Sequence, residues 1–317
     1  MFCKIVHMEG ESSWKAATAV AVGVFILLIC VFSAWKAALA GHSDAQEEDG
    51  AGGVSVVATV YPLYVMLLNI TAGTDTRSSL LLAAGAGCLH DWQLTTADMK
   101  ALQAADIVVA SGAGMEGFLD KVLEMKAGAV VTASEGFPLL DANSSNPHIW
   151  LSSDGAAWQV RQIATSLAAS DSANATLYMN NCERYTQRLE ALGDRISGEL
   201  SPFATRKVAL FHEALVYLAH EAGLDVAFVL SEEELSSPSA KRIREVVALI
   251  DEARDQGDEI VCFADATSAG AVRVIEQEAH IRVWQLDTCT AGELSADAYI
   301  AAMEGNIAVM KSALSGL

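Results

Sequence analysis

Three histidines and one aspartate, far apart along the chain, have the side chains that a transition-metal site needs. His90 ends a glycine-rich turn, His148 follows a proline in the segment 146–151 (NPHIWL), and His212 and Asp287 each end an apolar stretch. Consecutive members are 58, 64 and 75 residues apart, so they form no local motif. Taken alone, His148 beside apolar residues would be read as a core histidine bonded to a carbonyl.

The chemistry of this set is that of a closed, four-coordinate site for a divalent metal. Three neutral imidazoles and one carboxylate suit tetrahedral zinc. Imidazole favours zinc over magnesium or calcium, whereas affinity alone does not exclude copper or nickel. We therefore predict a site for a divalent transition metal formed by His90, His148, His212 and Asp287. Asp287 has an alternative role as a strand-end cap that accepts bonds from backbone amides.

The elements around these residues alternate between strands and helices, which indicates βαβ units and parallel sheets. The predicted fold is α/β, with two lobes built on mostly parallel sheets and joined by one long spine helix. Strands are predicted at 54–60, 79–83, 107–110, 129–133, 208–211, 226–230, 260–264 and 281–286. Helices are predicted at 63–70, 96–105, 115–125, 154–168, 173–200, 213–222, 237–254, 269–279 and 296–314. Ligands of open α/β sheets bind at the carboxyl ends of strands, where the four candidate ligands are predicted to lie.

The length of 317 residues suits about two domains, preceded here by an N-terminal segment. We predict a signal peptide or anchor at 1–40, a flexible tether at 41–53, lobes at 54–170 and 203–317, and a linking helix at 171–202. Residues 16–35 are uncharged and apolar, and Ala38-Leu39-Ala40 is an A-x-A cleavage pattern. Both a cleaved export signal and a retained anchor remain open, and either places the body outside the cytoplasm. Lipidation at Cys30 is not expected, because Ile29 precedes it.

The net charge limits the kinds of partner that the protein can bind, and the cysteine content suggests a candidate disulfide pair. The net charge is −20, and residues 1–40 carry +1, so the remainder carries −21 and repels nucleic acid and anionic lipid. There is no Walker loop. In an oxidising compartment Cys262 and Cys289 are our candidate disulfide, and the alternative is that the cysteines of the exported part are free, buried thiols.

Beyond these arguments, the chain from about Val54 onward resembles the solute-binding subunits of metal-importing ABC transporters, the zinc- and manganese-binding cluster A-I family. The resemblance rests on five segments that occur in order: 58–64 (ATVYPLY), 90–92 (HDW) with 95–100 (TTADMK), 146–151 (NPHIWL), 211–214 (FHEA) with Tyr217, and 286–287 (LD). It implies two α/β lobes on one long helix, with the metal bound between them. It also implies that His90, His148 and His212 are ligands and that Asp287 lies near the metal. A histidine at the third position is typical of the zinc binders.

The resemblance implies capture of Zn²⁺ and delivery to a membrane permease, with no enzymatic step. We expect a monomer that is either free or tethered at its N-terminus. Asp91 is a candidate to orient an imidazole. There are departures from the family pattern: residues 126–146 lack a histidine-rich loop, Leu89 replaces a proline or an acid, and the segment at 264–266 (ADA) replaces a Glu-Pro-Gln-like segment, so no role is assigned to Asp265. His220 and His280 are expected to be solvated surface residues. The alternatives are a manganese or iron carrier, an adhesin of the same fold, and a zinc hydrolase.

Overall fold

In the part of the chain that the structure describes, eight parallel strands form two separate four-stranded sheets. The computed structural model describes residues 53–82, 94–126, 128–140, 146–230, 239–267 and 269–316. The first sheet has the order β2-β1-β3-β4 and consists of β1 (Ser55–Ala58), β2 (Arg77–Leu80), β3 (Ile107–Ala110) and β4 (Ala129–Thr132). The second has the order β6-β5-β7-β8 and consists of β5 (Lys207–Leu210), β6 (Asp225–Val229), β7 (Ile260–Ala264) and β8 (Val283–Gln285). The predicted α/β architecture with two lobes is confirmed.

Helices follow the strands, as predicted. They are α1 (Tyr61–Ile70), α2 (Thr96–Ala104), α3 (Asp120–Glu124), α4 (Ser153–Ser170), α5 (Ala175–Leu200), α6 (Val216–Glu221), α7 (Ala240–Asp255), α8 (Ala269–Ala279) and α9 (Ala298–Ser315). Short 3-10 turns cover Ile149–Leu151, Ser201–Phe203 and Glu213–Leu215. Within the described ranges, no helix combines the length and the apolar character needed to cross a membrane.

Local sequence explains where several helices begin. Thr95 and Asp98 form a capping box at the start of α2, in which each side chain bonds the backbone N–H of the other residue. Ser152 and Ser239 accept N–H bonds at the starts of α4 and α7. After α6 the chain turns at Gly223, whose φ of +69° is a left-handed conformation that glycine adopts without strain.

The strands divide their side chains between two faces with period two. In β1, Val56 and Ala58 belong to the largest apolar cluster, whereas Val57 belongs to a smaller cluster on the other face. In β5, Val208 and Leu210 also belong to the largest cluster, whereas Ala209 packs into a third. One face of each sheet therefore contributes to a shared core, and the other face has its own local core.

Helix α5, the spine helix, passes through this shared core. The helix is 26 residues long, one of its faces is buried, and it packs against α1, α4 and α9. The buried apolar residues recur at helical spacing, which keeps the opposite face in solvent: Tyr178, Cys182, Tyr185, Leu189, Leu192, Ile196 and Leu200. The predicted long helix between the two sheets is present, beginning two residues later than predicted.

Two predictions about this fold are wrong. The helix predicted at 115–125 is reduced to α3, because the carboxylate of Glu116 turns inward and accepts bonds from the N–H groups of Ser111 and Gly112 at 2.6 and 2.9 Å. The residues before α3 are therefore wound around a buried carboxylate instead of forming a helix.

The predicted disulfide is also wrong, since Cys262 and Cys289 are both free and buried. Cys262 lies inside β7 and packs in the local core of the second sheet, whereas Cys289 lies in a left-handed turn and packs in the shared core. The two thiols therefore belong to different apolar clusters. Cys182 is likewise free and buried, and Cys88 lies outside the described residues.

Candidate metal centre

His148 enters the core in a fixed orientation. Its side chain is only 7% exposed, and the three residues after it, which form the 3-10 turn Ile149–Leu151, are fully buried. The side-chain oxygen of Asn146 lies 3.0 Å from Nδ1 of His148 and also accepts the backbone N–H of His148 at 3.1 Å. Both contacts hold the imidazole against the segment that precedes it.

His212 leaves the end of β5 into a similarly buried position, with 4% exposure. Its Nδ1 lies 3.1 Å from Oδ2 of Asp265, a carboxylate that is 2% exposed. The hydroxyl of Thr267 donates to this carboxylate and lies 2.9 and 2.8 Å from its two oxygens. Asp265 directly follows β7, the strand that pairs with β5.

The two imidazoles meet although 64 residues separate them. Their ring centroids are 5.4 Å apart with an interplanar angle of 73°, and the ring of Trp150 contacts His148 edge-on at 5.1 Å. The amide nitrogen of Asn146 donates to the carbonyl of Glu213 at 2.8 Å, and the hydroxyl of Tyr217 donates to the carbonyl of Asn146 at 3.2 Å. These bonds connect the backbone beside one histidine to the segment that follows the other.

Asp287 lies at the end of the second sheet, in a loop whose backbone is fixed. Its Oδ1 accepts the N–H of Cys289 at 2.7 Å, and its own N–H donates to Oδ1 of Asn306 at 2.7 Å. The indole N–H of Trp150 donates to the carbonyl of Thr288 at 2.9 Å, which connects this loop to the His148 segment. The side chain of Asp287 is exposed and makes the capping contact that sequence analysis gave as its alternative role.

The remaining candidates are less informative. His90 and Asp91 lie outside the described residues, as do the N-terminal segment 1–40 and all of the predicted tether 41–53 except Gly53. Among the residues that the structure does describe, no three His, Cys, Asp or Glu side chains form a group that could hold a metal ion. His220 and His280 are exposed, as expected for surface residues.

Sequence analysis missed Asp265. The signal that could have found it is the one used for Asp287, because Asp265 is an acid placed directly after a buried apolar strand. The parallel strands β5 and β7 end side by side, so the residues that follow them approach each other.

Electrostatically, the pair of imidazoles is suited to a divalent cation. Neutral imidazole carries one proton, so an acceptor at Nδ1 leaves the lone pair on Nε2, the usual position for a metal bond. An amide oxygen lies 3.0 Å from Nδ1 of His148, and a carboxylate oxygen lies 3.1 Å from Nδ1 of His212. What this arrangement supports chemically is coordination of a metal by nitrogen.

A match to a protein-family model shows which family the chain belongs to. The family model described as zinc-uptake complex component A, periplasmic, matches residues 56–313. The chain belongs to this family. The resemblance to solute-binding subunits of metal-importing ABC transporters is therefore confirmed.

Individual relatives are distant. The high-affinity zinc uptake system protein ZnuA of Brucella abortus (strain 2308) is 26% identical over 263 residues, covering 68% of this chain and 77% of that protein. The zinc-binding protein AdcA of Streptococcus pyogenes (serotype M6) is 25% identical, covering 90% of this chain and 59% of its own length. Among solved structures, FpvC of Pseudomonas aeruginosa in complex with Ni²⁺ has a TM-score of 0.73 at 26% identity, covering 84% of this chain and 98% of FpvC. Another FpvC structure, in complex with Mn²⁺, has the same TM-score and identity.

Proposed function

We propose that this protein captures one Zn²⁺ ion outside the cytoplasm and delivers it to the membrane permease of an ABC importer. The observation that carries the proposal is the meeting of two buried imidazoles, His148 and His212, from distant parts of a chain that belongs to a zinc-uptake family. We propose His90 and Asp287 as the third and fourth ligands. Such a site coordinates and releases its ion without a covalent step.

Residues 1–40 are proposed to direct export and either to be cleaved or to remain as an anchor. The following tether, 41–53, then leads into lobes at 54–170 and 203–317, with 171–202 as the linking helix. The body is proposed to act as a monomer, since each chain supplies its own histidine pair.

Metal analysis with single substitutions tests the site. Protein purified without added metal and then dialysed against Zn²⁺ should retain one ion per chain. His148→Ala and His212→Ala should each weaken zinc binding at least tenfold, because each removes one ligand nitrogen. His220→Ala is the matched control, since His220 is exposed on α6, and it should leave the affinity within about twofold, roughly 0.4 kcal/mol. Unchanged zinc retention in His148→Ala would refute the assignment.

Two substitutions at Asp287 distinguish a role as metal ligand from a role as strand-end cap. Asp287→Asn keeps an oxygen that can accept the N–H of Cys289 but removes the negative charge. If Asp287 binds the metal, Asp287→Asn should lose zinc affinity about as strongly as Asp287→Ala. If Asp287 only caps the strand end, Asp287→Asn should bind zinc normally, and Asp287→Ala should lower the melting temperature.

A carrier of another divalent metal is the second candidate, because the FpvC structures similar to this chain contain Mn²⁺ and Ni²⁺. Nitrogen donors at two positions favour zinc or nickel over manganese, which prefers oxygen ligands. Competition dialysis with equal Zn²⁺, Mn²⁺ and Ni²⁺ distinguishes these cargoes. Preferential retention of Mn²⁺ would exclude the zinc proposal.

A further inference from the structure

Asp265 is the buried acid for which the proposed ligand set has no use. We infer that Asp265 is a positioning residue that holds His212 with its proton on Nδ1 and its Nε2 lone pair directed at the metal. The inference rests on the proposed function, since it concerns the same site. It assigns a role to a carboxylate that the sequence left without one.

The carboxylate is itself held in place. Asp265 directly follows β7, and the hydroxyl of Thr267 lies within 2.9 Å of both of its oxygens. The neighbouring strand β5 pairs in parallel with β7, with Leu210 opposite Phe263, and the pairing continues as the N–H of Phe211 donates to the carbonyl of Phe263 at 2.8 Å. The register of the sheet therefore brings Asp265 and His212 together one step beyond the strand ends.

Proton location follows from what each group can do. An ionised carboxylate only accepts hydrogen bonds, so we assign the proton of His212 to Nδ1, the ring nitrogen that lies 3.1 Å from Oδ2 of Asp265. Both side chains are at least 95% buried, and water competes little with a contact in such a place. A carboxylate behind a histidine also makes the imidazole a stronger electron donor to a metal, and loss of such a partner typically costs 10–100-fold in metal affinity.

The two proposed histidine ligands are thus held by different acceptors. Nδ1 of His148 faces a neutral amide oxygen, whose orientation is fixed because the amide nitrogen of Asn146 is used for the carbonyl of Glu213. Nδ1 of His212 faces a carboxylate. The donor strength of His212 therefore depends on a charge, and substitution of that charge should change the affinity for the metal.

The test combines a tautomer measurement with a zinc-binding measurement. Metal-free protein with ¹⁵N-labelled histidine, studied by long-range ¹H–¹⁵N NMR at about pH 8, reports which ring nitrogen of His212 carries the proton. Wild type should show the Nδ1–H tautomer. Asp265→Ala should shift His212 toward Nε2–H and weaken zinc binding 10–100-fold at unchanged stoichiometry.

Milder variants keep the test decisive if Asp265→Ala folds poorly. Thr267→Val removes the hydroxyl that holds the carboxylate while keeping the side-chain shape, and it should weaken zinc binding by less than Asp265→Ala does. Thr267→Ser, which restores the hydroxyl, should recover the affinity of wild type. Asp258→Asn is the matched control, because Asp258 pairs with Lys207 at the opposite ends of the same two strands, and it should change neither measurement.

The outcomes separate this inference from the proposed function. If Asp265→Ala leaves the tautomer unchanged, the positioning role is overturned, whatever happens to zinc affinity. If affinity stays within twofold while the tautomer shifts, the orientation has no consequence for binding, and the inference fails as well. Wild-type protein that retains no zinc would instead refute the proposed function, and the tautomer of the metal-free protein would still decide the role of Asp265.

Discussion

Gly193, in the middle of the spine helix α5, allows the close approach of two segments that carry the histidines. A Cβ atom at this position would lie 2.3 Å from Oγ of Ser153 and 3.1 Å from Oε1 of Glu221. The N–H of Ser153 donates to Oε2 of Glu221 at 2.9 Å, and its hydroxyl donates to Oε1. Gly193→Ala should therefore disturb the contact between the start of α4 and the end of α6.

The magnitude follows from three contributions. Alanine stabilises a helix interior relative to glycine by about 0.5–1 kcal/mol. Overpacking costs roughly 1–3 kcal/mol. Rotation of the Ser153 hydroxyl away from the new methyl group would relieve the clash but would deprive the buried carboxylate of a donor, at a further cost of about 1–3 kcal/mol. We expect Gly193→Ala to lower the free energy of unfolding by roughly 1–5.5 kcal/mol in total.

The same helix offers a matched control. Gly198 is exposed, and a Cβ atom there would meet nothing within 4 Å, so Gly198→Ala should raise stability by up to about 1 kcal/mol. Urea and thermal denaturation of the metal-free protein give both values. The double variant Ser153→Ala/Gly193→Ala should lose less stability than the two single changes predict, because the clash and the bond share one hydroxyl.

A functional consequence is expected as well. Ser153 is five residues after His148, and Glu221 is nine residues after His212, so the disturbed contact joins the two ligand-bearing segments. Gly193→Ala should weaken zinc binding, whereas Gly198→Ala should not. The reasoning would be refuted if Gly193→Ala were as stable as Gly198→Ala.

Three further predictions concern pH, thiols and motion. Burial raises the pKa of Glu221 and of Glu116. Their contribution to stability is therefore full below about pH 4.5 and is lost as the pH rises through the raised pKa. In urea titrations, the difference in free energy of unfolding between wild type and Glu221→Gln should accordingly change against wild type from pH 4 to pH 8. Burial raises the pKa of Cys262 to about 12 and that of Cys289 well above its usual value, so peptide-resolved mass spectrometry should find both unalkylated in native protein at pH 8 and alkylated after unfolding. Small-angle scattering should show little change in radius of gyration on adding zinc, while the melting temperature rises, and a large drop in radius would refute a rigid spine.

Most of the regular structure was predictable because apolar periodicity decides it locally. The strands at Ile107–Ala110 and Ile260–Ala264 lie where the sequence predicts them, since runs of β-branched and apolar residues there are bounded by polar ones. The helix predicted at 115–125 failed because the buried carboxylate of Glu116 bonds the preceding backbone, and periodicity carries no information about such a bond. The disulfide failed because spacing along the chain says nothing about which apolar cluster receives a cysteine.

Part of the candidate site was predictable for a different reason. His148 and His212 were found because both lie beside apolar segments and in motifs that resemble a family. Asp265 was missed because its segment departs from the family pattern, and the resemblance was given more weight than the position of the residue at a strand end. The carboxyl ends of parallel strands lie at the same edge of a sheet. If this rule had been applied to every predicted strand, Asp265 would have been among the candidate site residues.

The loop that carries Asp287 is hydrogen-bonded to a part of the chain that precedes the spine helix α5. Residues just beyond Asp287 are bonded to helix α1, which follows strand β1 of the first sheet: the hydroxyl of Tyr61 donates to the carbonyl of Glu293 at 2.6 Å, and the amide of Asn69 donates to the carbonyl of Ala296 at 2.8 Å. A swing of one lobe away from the other would break these bonds together with the contacts of α5 in the shared core. Each broken bond would leave a buried or half-buried polar group without its partner, at a cost of about 1–3 kcal/mol. Small movements of side chains and loops around fixed strand ends cost less, so we expect zinc to enter and leave by such movements.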